Sequence, residues 1–475
     1  MSEHEKMAPE GLRRLLVQGA ALLMGRQIAA MIIGVLGIFV VTRALGPTAY
    51  GAYAASASFY LFALNFTQTS LGAFVVRSSQ KLSREDYFAL TTFAVALGLV
   101  AAALVIAASF FLARWVQIEH FAAYVAVQIF CLPLQLASTV AGAQLDARFS
   151  YRPTAVIDLA GQVVFYGVGS LLILLGLGPW ALIAAFVLQR LGECVYYHRA
   201  ARYAPRFGWS RPLILETFKY YTTFSAATWL WHSKSLVNPL VVGHFLGAAA
   251  VGQVNLTVRI VEVLSFVRGS AWRMAIPTLS RLSGDRARLR VAVEQGAQLQ
   301  LLGVGLPLWG FGCVAPFVLP LVYGRDWQPV LALYPLLAVS SLTNGVFNLH
   351  WAALTVFNRP RPYAIGNFLN AALFALVATL LAPRIGVVGL GLGEICGFLG
   401  YAAFWNPVWS IVGPLNLRLA ALWWAAFAIG LLWPYIGFPA ALAPVVLIGL
   451  IPASAAELRS LATKATGALY KPARG

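Results

Sequence analysis

Long apolar runs separated by short polar segments follow one another along almost the whole chain. A helix needs roughly 20 apolar residues to cross the hydrocarbon core, and these runs are too long and too uniformly apolar for barrel strands. The pattern predicts an all-α integral membrane protein with about fourteen transmembrane helices. The predicted spans lie near residues 18–42, 50–76, 87–112, 121–144, 154–176, 179–198, 218–243, 250–272, 291–320, 330–356, 363–383, 387–410, 419–437 and 438–455.

The first twelve predicted spans contain an internal repeat. Each half holds six spans, an even number, so both halves have the same orientation in the membrane. Parallel repeats of this kind are typical of transporters that open alternately to each side. Three matches in the same order carry the repeat: Leu45-Gly46 and Gly51 with Leu246-Gly247 and Gly252, Arg152-Pro153 with Arg361-Pro362, and Gly178 and Leu182 with Gly386 and Leu390.

The repeat divides the chain into four predicted parts. Residues 1–200 form an N-terminal six-helix bundle, and residues 201–217 form a cytoplasmic linker. Residues 218–412 form a C-terminal six-helix bundle, and residues 413–475 add two transmembrane helices and a basic cytoplasmic tail. The loops between the spans are short, so we expect no soluble domain.

Composition and charge fit a membrane protein. Of the 475 residues, 60% are hydrophobic and 11% are charged, and the formal net charge is +18. With a cytoplasmic N-terminus, 25 of the 34 Lys and Arg fall in cytoplasmic segments and four on the opposite side. This bias follows the positive-inside rule, predicts cytoplasmic termini, and explains the net charge without nucleic acid. The other five lie inside predicted spans: Arg26, Arg190, Lys234, Arg259 and Arg268.

The segment Thr42-Arg-Ala-Leu-Gly-Pro-Thr-Ala-Tyr-Gly-Ala-Tyr53 carries a family resemblance. It resembles the turn between the first two helices of the polysaccharide/oligosaccharide flippase family, and Ser70-Leu71-Gly72 and Val76-Arg77 are similar to that family's second helix. The six-plus-six repeat is similar to the multidrug/oligosaccharidyl-lipid/polysaccharide exporter superfamily. The resemblance covers the first twelve spans.

The resemblance implies a V-shaped, alternating-access flippase of the bacterial inner membrane. Its substrate would be an undecaprenyl-pyrophosphate-linked oligosaccharide for O-antigen, capsule or exopolysaccharide biosynthesis. Its partners would be membrane lipids and the polymerase and export machinery of the same pathway. Fourteen spans instead of twelve is a feature of the lipid II branch, so the lipid II flippase of peptidoglycan synthesis stays an alternative.

Cations inside spans are candidate phosphate ligands, because an ionisable residue at mid-bilayer costs about 2.5–3.5 kcal/mol and usually serves function. Spans one, two, seven and eight line the central cavity in the family that the chain resembles. Arg26 and Lys234 have no acid at helical spacing, so we expect them to be unpaired pyrophosphate ligands, with Arg259 as a third. Candidate sugar ligands are Asn65, Gln68, Asn344, Asn348 and His350, and candidates for ion coupling are Glu262 and Glu394.

Structural roles compete with these functional ones. Arg259 has Glu262 at i+3 and Arg190 has Glu193 at i+3, so each is also interpreted as a self-neutralising pair. Long arginine side chains near a helix end also snorkel to the interface, which is the alternative for Arg268. For Asn344 and Asn348, one turn apart, the alternative is hydrogen bonding between helices.

Other function classes have less support. The chain lacks a Walker A sequence and any catalytic Ser/His/Asp or paired-carboxylate arrangement, so we expect no catalytic residue and no cofactor. The four cysteines stand singly without clustered histidines, so we expect neither disulfide nor metal. An oligosaccharide polymerase or ligase would need a long outer loop, and the loops predicted between the spans are short. A multidrug exporter of the same superfamily stays an alternative, although cations outnumber acids in the cavity-lining spans and favour an anionic substrate.

Overall fold

The computed structural model describes residues 9–68, 71–148, 150–452, 454–460 and 463, and within these it leaves aside the side chains of residues 9–24, 223–228 and 230. The described part is built from helices and short connections and contains no strand. The predicted all-α fold class is therefore confirmed. Ser70 of the family motif and the predicted basic tail beyond residue 463 lie outside the described residues.

The helices follow the order of the predicted spans. Short 3-10 or π segments cover Lys234–Leu236, Asn238–Val242, Arg325–Trp327, Phe398–Tyr401, Phe438–Leu442 and Val445–Leu450. The α-helices are α1 (Pro9–Gln68), α2 (Leu71–Ser78), α3 (Arg84–Val116), α4 (Phe121–Ile129), α5 (Leu132–Ala147), α6 (Tyr151–Leu174), α7 (Pro179–Ala201), α8 (Arg211–Ser233), α9 (Gly243–Leu264), α10 (Phe266–Arg281), α11 (Arg286–Val322), α12 (Pro329–Val356), α13 (Pro360–Ile385), α14 (Val387–Gly397), α15 (Ala402–Val412), α16 (Arg418–Leu431) and α17 (Trp433–Ile436).

The number of membrane-spanning helices depends on whether a bent pair is counted as one span. Within the described residues, nine helices are long and apolar enough to cross a bilayer, and the bent pair Phe438–Leu450 and Ser454–Ser460 makes ten. The apolar helix α16 is shorter than these spans, with 14 residues. The chain is a multi-pass membrane protein, and the count of fourteen stays a prediction.

The chain forms two compact units. Unit 1 comprises residues 1–255 with 322–326, and unit 2 comprises residues 256–321 with 327–475. The division between the units falls inside α9 and not in the linker at 201–217. The four-part division based on the repeat stays a prediction.

Each unit has its own apolar core. In unit 1, Phe74 of α2, Leu90 of α3 and Leu136 of α5 belong to one buried cluster. In unit 2, Trp423 and Phe427 of α16 are buried in one cluster with residues of α11 and α12. The first of the two extra C-terminal helices is thus part of the core of unit 2.

The two copies of the Leu-Gly motif have the same backbone conformation. Gly46 has φ 71° and ψ 172° inside α1, and Gly247 has φ 79° and ψ −178° inside α9. Residues with a Cβ rarely adopt such a positive φ, so glycine is required at both bends. The turn expected between the first two predicted spans lies at Gly46, where the helical dihedral angles are interrupted, so α1 consists of two helices that meet at a kink.

The second glycine of each motif copy allows a close backbone contact within unit 1. A Cβ built on Gly51 would overlap the carbonyl oxygen of Ala248, and a Cβ on Gly252 would overlap the carbonyl oxygen of Pro47. Small residues let helix backbones approach in this way in membranes. The repeated motif therefore packs against its own copy.

The substitution Gly51→Ala should destabilise the protein by about 1–3 kcal/mol, because backbone atoms cannot move aside as a flexible side chain does. Thermal unfolding of the purified protein in detergent measures this. The matched control is Gly167→Ala in α6, where an added Cβ meets nothing within 4 Å. Equal melting temperatures for the two variants would contradict the close contact.

Candidate functional site

Arg26 lies in an ion pair that the sequence did not indicate. Its Nη1 contacts Oδ2 of Asp158, 132 positions away on α6. The hydroxyl of Tyr197 on α7 donates a hydrogen bond to Oδ1 of the same carboxylate at 3.0 Å. The expectation that Arg26 is unpaired is therefore wrong, because spacing rules see only partners on the same helix.

The Arg26–Asp158 pair is accessible. The side chains retain 25% and 34% of their accessible surface. Both partners are therefore within reach of solvent, and the hydrogen bond from Tyr197 holds the carboxylate in place.

A second ionic network lies deeper in unit 1. Arg190 Nη1 donates to Oε2 of Glu193 at 2.7 Å and to Oε1 of Gln135 at 2.6 Å. Gln189 Nε2 donates to the other oxygen of Glu193 at 2.8 Å. The Glu193 side chain is 8% exposed and lies against Gly161 of α6, where a Cβ would overlap it. These contacts support the interpretation of Arg190 and Glu193 as a structural pair.

Lys234 directly follows α8, at the point where the α-helix gives way to a 3-10 turn. It begins the 3-10 turn Lys234–Leu236, which precedes a π segment containing Pro239. Its Nζ is 4.8 Å from the ring centroid of Trp231, a cation–π distance. Arg26 and Lys234 belong to unit 1, whereas Arg259 belongs to unit 2.

Arg259 forms the local pair that its spacing predicts. Its Nη1 is 3.6 Å from Oε2 of Glu262, and the two side chains are 46% and 54% exposed. This separation and exposure make the pair weak, because solvent-exposed ion pairs contribute little stability. Both the pyrophosphate-binding role of Arg259 and the coupling role of Glu262 stay predictions.

Arg268 differs from the other intramembrane arginines. Its Nη1 donates to the hydroxyl of Ser341 on α12 at 3.0 Å, and Ser341 also bonds to Ser265 at 2.8 Å. Within the described part of the chain, no carboxylate lies within 4.0 Å of its guanidinium. The sequence allows two interpretations of Arg268, as a residue of the cavity or as a residue that snorkels to the membrane interface. In the sequence, only Ser265, three positions before Arg268 by helical phase, indicated that this arginine has a polar environment.

The candidate sugar ligands on α12 are partly engaged by neighbouring helices. Asn348 is buried, and its Nδ2 donates to the carbonyl of Arg268 at 3.1 Å and to Oε1 of Gln300 at 3.0 Å. His350 is buried, and its Nδ1 lies 3.2 Å from the carbonyl of Val346. These bonds favour the interhelical alternative for Asn348. Asn344 is half-buried.

The remaining candidates have local contacts. Asn65 Nδ2 donates to the carbonyl of Leu61 at 2.9 Å, and Gln68 at the end of α1 is half-buried. Glu394 of α14 accepts a hydrogen bond from the Ser340 hydroxyl at 3.3 Å. Among the described residues, no group of three His, Cys, Asp or Glu side chains is placed to hold a metal ion. The sugar-binding and coupling roles stay predictions.

Comparison with known proteins decides the family. A profile of the family described as polysaccharide biosynthesis protein matches residues 40–332, more than half of the chain. The chain belongs to this family. The resemblance inferred from the segment between Thr42 and Tyr53 is therefore confirmed.

This member of the polysaccharide biosynthesis family is similar to a curated transport protein in sequence and to two solved transporters in fold. The succinoglycan biosynthesis transport protein ExoT of Rhizobium meliloti (strain 1021) is 25% identical over 375 residues, which are 77% of this chain and 72% of the relative. The lipid II flippase MurJ in an inward closed conformation has a TM-score of 0.65 at 11% identity, with 91% of this chain and 97% of that chain covered. An inward-facing multidrug resistance transporter of the MATE family has a TM-score of 0.65 at 14% identity, with 80% and 95% covered.

Removal of the buried carboxylate of Glu193 should lower the free energy of unfolding far more than removal of the exposed carboxylate of Glu262. Glu193→Ala leaves Arg190 without its carboxylate, and breaking such a pair costs about 3–5 kcal/mol. Glu262→Ala removes the partner of the exposed Arg259, and we expect a change below about 1 kcal/mol. Thermal unfolding in detergent compares the two variants. A Glu193→Ala protein that melts no lower than Glu262→Ala would refute the structural role of this network.

Proposed function

We propose that the protein is a flippase that moves an undecaprenyl-pyrophosphate-linked oligosaccharide across the bacterial inner membrane by alternating access. The product would serve O-antigen, capsule or exopolysaccharide biosynthesis. Membership of the polysaccharide biosynthesis family supports this class, as does the similarity to a protein named for succinoglycan transport. The fold shared with a lipid II flippase supports the mode of action.

The observation that carries the proposal is the accessible ion pair of Arg26 and Asp158. An ionised side chain facing hydrocarbon is expensive, at about 2.5–3.5 kcal/mol on insertion scales. Both partners are partly exposed along helices that are otherwise apolar. We infer that they face a water-filled interior, where the headgroup of a substrate can reach them.

The pair suits an anion-exchange step. A pyrophosphate carries about two negative charges and offers paired oxygens to the guanidinium fork, so it competes well with a single carboxylate. When Arg26 turns to the phosphate, Asp158 keeps the hydrogen bond from Tyr197. After the headgroup leaves, Asp158 neutralises Arg26 again, which prevents the cation from trapping its product.

Other cations extend this proposal. Lys234 and Arg259 remain proposed phosphate ligands, and Arg268 joins them because its guanidinium donates to the hydroxyl of Ser341 and has no carboxylate within 4.0 Å in the described part of the chain. The lipid tail would stay in the bilayer, whereas the sugar-pyrophosphate headgroup crosses the interior.

The relatives are transporters or flippases by name, which supports a protein without enzymatic activity. A polymerase or ligase would need catalytic groups that neither motif nor geometry supplies in the described part of the chain. The multidrug exporter and the lipid II flippase remain as alternatives that the same assay separates.

Arg26→Ala should slow headgroup translocation at least about tenfold, equivalent to about 1.4 kcal/mol on the barrier. The protein is reconstituted in proteoliposomes with a fluorescent polyprenyl-pyrophosphate oligosaccharide, and the label is followed by access to an external quencher. Arg361→Ala at the exposed start of α13 is the matched control and should translocate normally.

Parallel vesicles carry lipid II or a cationic dye in place of the oligosaccharide lipid. Faster movement of lipid II than of any polyprenyl oligosaccharide would assign the protein to peptidoglycan synthesis. Export of the dye with no movement of either glycolipid would replace the flippase by a drug exporter, and Arg26 would then be structural.

Asp158→Asn tests the exchange step separately. The amide keeps an acceptor for Tyr197 but no longer neutralises Arg26, so the apparent KM for the glycolipid should fall about threefold or more, since one competing charge is gone. Initial translocation rates over a range of glycolipid densities measure this. A raised KM in Asp158→Asn would mean that the pair only holds the helices together.

A further inference from the structure

The connection between α7 and α8 lies against the side of α3. It consists of residues 202–210, which contain no helix of their own, and we call it the α7–α8 linker. The hydroxyl of Tyr203 lies 3.2 Å from Oγ1 of Thr91, and the backbone N–H of Gly208 donates to Oγ1 of Thr92 at 3.1 Å. Both ends of the linker are thus bonded to the same part of α3.

Gly208 brings the linker into direct contact with the backbone of α3. A Cβ built on Gly208 would lie 2.8 Å from the nitrogen of Ala89 and 2.9 Å from the carbonyl carbon of Phe88. Small residues let two backbones approach this closely in membrane proteins. The linker is therefore fixed beside residues 88–92 of α3.

The position along α3 places the linker at the edge of the membrane. The charged residues Arg84, Glu85 and Asp86 precede the contact, and the apolar run predicted to span the bilayer begins at residue 87. With 33 residues, α3 is about 50 Å long, whereas the hydrocarbon core is about 30 Å thick. A segment held against the second turn of α3 therefore lies near the boundary between headgroups and acyl chains.

Two large aromatic side chains of the linker have little contact with the protein. Phe207 and Trp209 flank Gly208 and are 83% and 65% exposed. Exposure of so much apolar surface to water is unfavourable, whereas aromatic rings are favoured at the level of the lipid headgroups. The two rings therefore suit a lipid surface and not the aqueous phase.

Cations surround this aromatic pair. Arg202, Arg206 and Arg211 are exposed, and within the described residues no carboxylate lies within 4.0 Å of their guanidinium groups. A bilayer with anionic lipids has a negative surface potential, which attracts such cations. On α8, Arg211 shares one exposed face with Leu215 and Phe218, so a charge is followed by apolar side chains, as at the edge of a span.

We propose that the α7–α8 linker is a membrane-surface anchor whose partner is the lipid bilayer itself. Phe207 and Trp209 insert among the headgroups and the upper acyl carbons, and Arg202, Arg206 and Arg211 lie in the headgroup layer. The segment predicted as a cytoplasmic linker would then be held in the plane of the membrane at the junction of the two repeat halves. The proposal is independent of what the protein transports.

The test measures the depth of the linker in vesicles of phosphatidylcholine and phosphatidylglycerol. A nitroxide is attached at Phe207→Cys or Trp209→Cys in the full-length protein, with the four native cysteines replaced by alanine. Electron paramagnetic resonance then compares collisions with oxygen, which enters the bilayer, and with a water-soluble nickel chelate. The controls are Leu104→Cys, at a side chain of α3 that is 67% exposed, and Ser283→Cys, in the exposed turn between α10 and α11.

Both linker labels should lie about 5–10 Å inside the headgroup boundary, between the depths of the two controls. Nickel accessibility equal to that of Ser283→Cys would place the linker in water and overturn the proposal. Low accessibility to both reagents would mean that protein covers the linker, either a second copy or another part of the chain, and would also overturn it.

A label at the exposed position Ala204→Cys separates insertion of the rings from packing on α3. Phe207→Gln with Trp209→Gln should raise its nickel collision rate toward that of Ser283→Cys, because the apolar contact with lipid is lost. Phe207→Leu with Trp209→Phe keeps that contact and should leave the rate unchanged, and melting curves confirm that both double variants are folded. An unchanged rate in the glutamine pair would mean that Tyr203 and Gly208 alone set the depth, and would overturn the insertion of the aromatic rings.

Discussion

Hydrocarbon neither hydrogen-bonds the backbone nor solvates a charge, and this constraint governs the described structure. It accounts for a chain built from helices, whose backbone groups are satisfied internally. It also decides how cations are accommodated. Arg26, Arg190 and Arg259 each contact a carboxylate, whereas Arg268 donates to the hydroxyl of Ser341. The proposed exchange at Arg26 and the proposed structural role of Arg190 both rest on the differences in exposure among these contacts.

The same constraint explains how the C-terminal helices join unit 2. A buried indole needs an acceptor for its N–H group. Trp423 donates to the hydroxyl of Ser454 at 2.6 Å, and Trp309 of α11 donates to the carbonyl of Ala441 at 2.9 Å. Trp433 donates to the carbonyl of Gly312 at 3.2 Å. The helices beyond the repeat are therefore bonded to the unit and share its core.

Sequence patterns predicted the features that depend on residues close together in the chain. Apolar runs predicted the helices, and spacing predicted the pairs Arg190–Glu193 and Arg259–Glu262. The partners of Arg26 and Arg268 lie 132 and 73 positions away, and no periodicity of one helix reveals such contacts. The number of spans stays a prediction, because an apolar run gives the length of a segment but does not fix a bend within it, such as the 70° bend between Phe438–Leu450 and Ser454–Ser460.

The paired bends at Gly46 and Gly247 concern the motif through which members of this family are recognised from sequence. Their positive φ angles, and the backbone contact at Gly51, require glycine whatever the protein carries. The residues of the motif thus specify a bend in the backbone. Kinship detected through this motif is therefore kinship in backbone geometry, and the glycines that carry it do not specify a substrate.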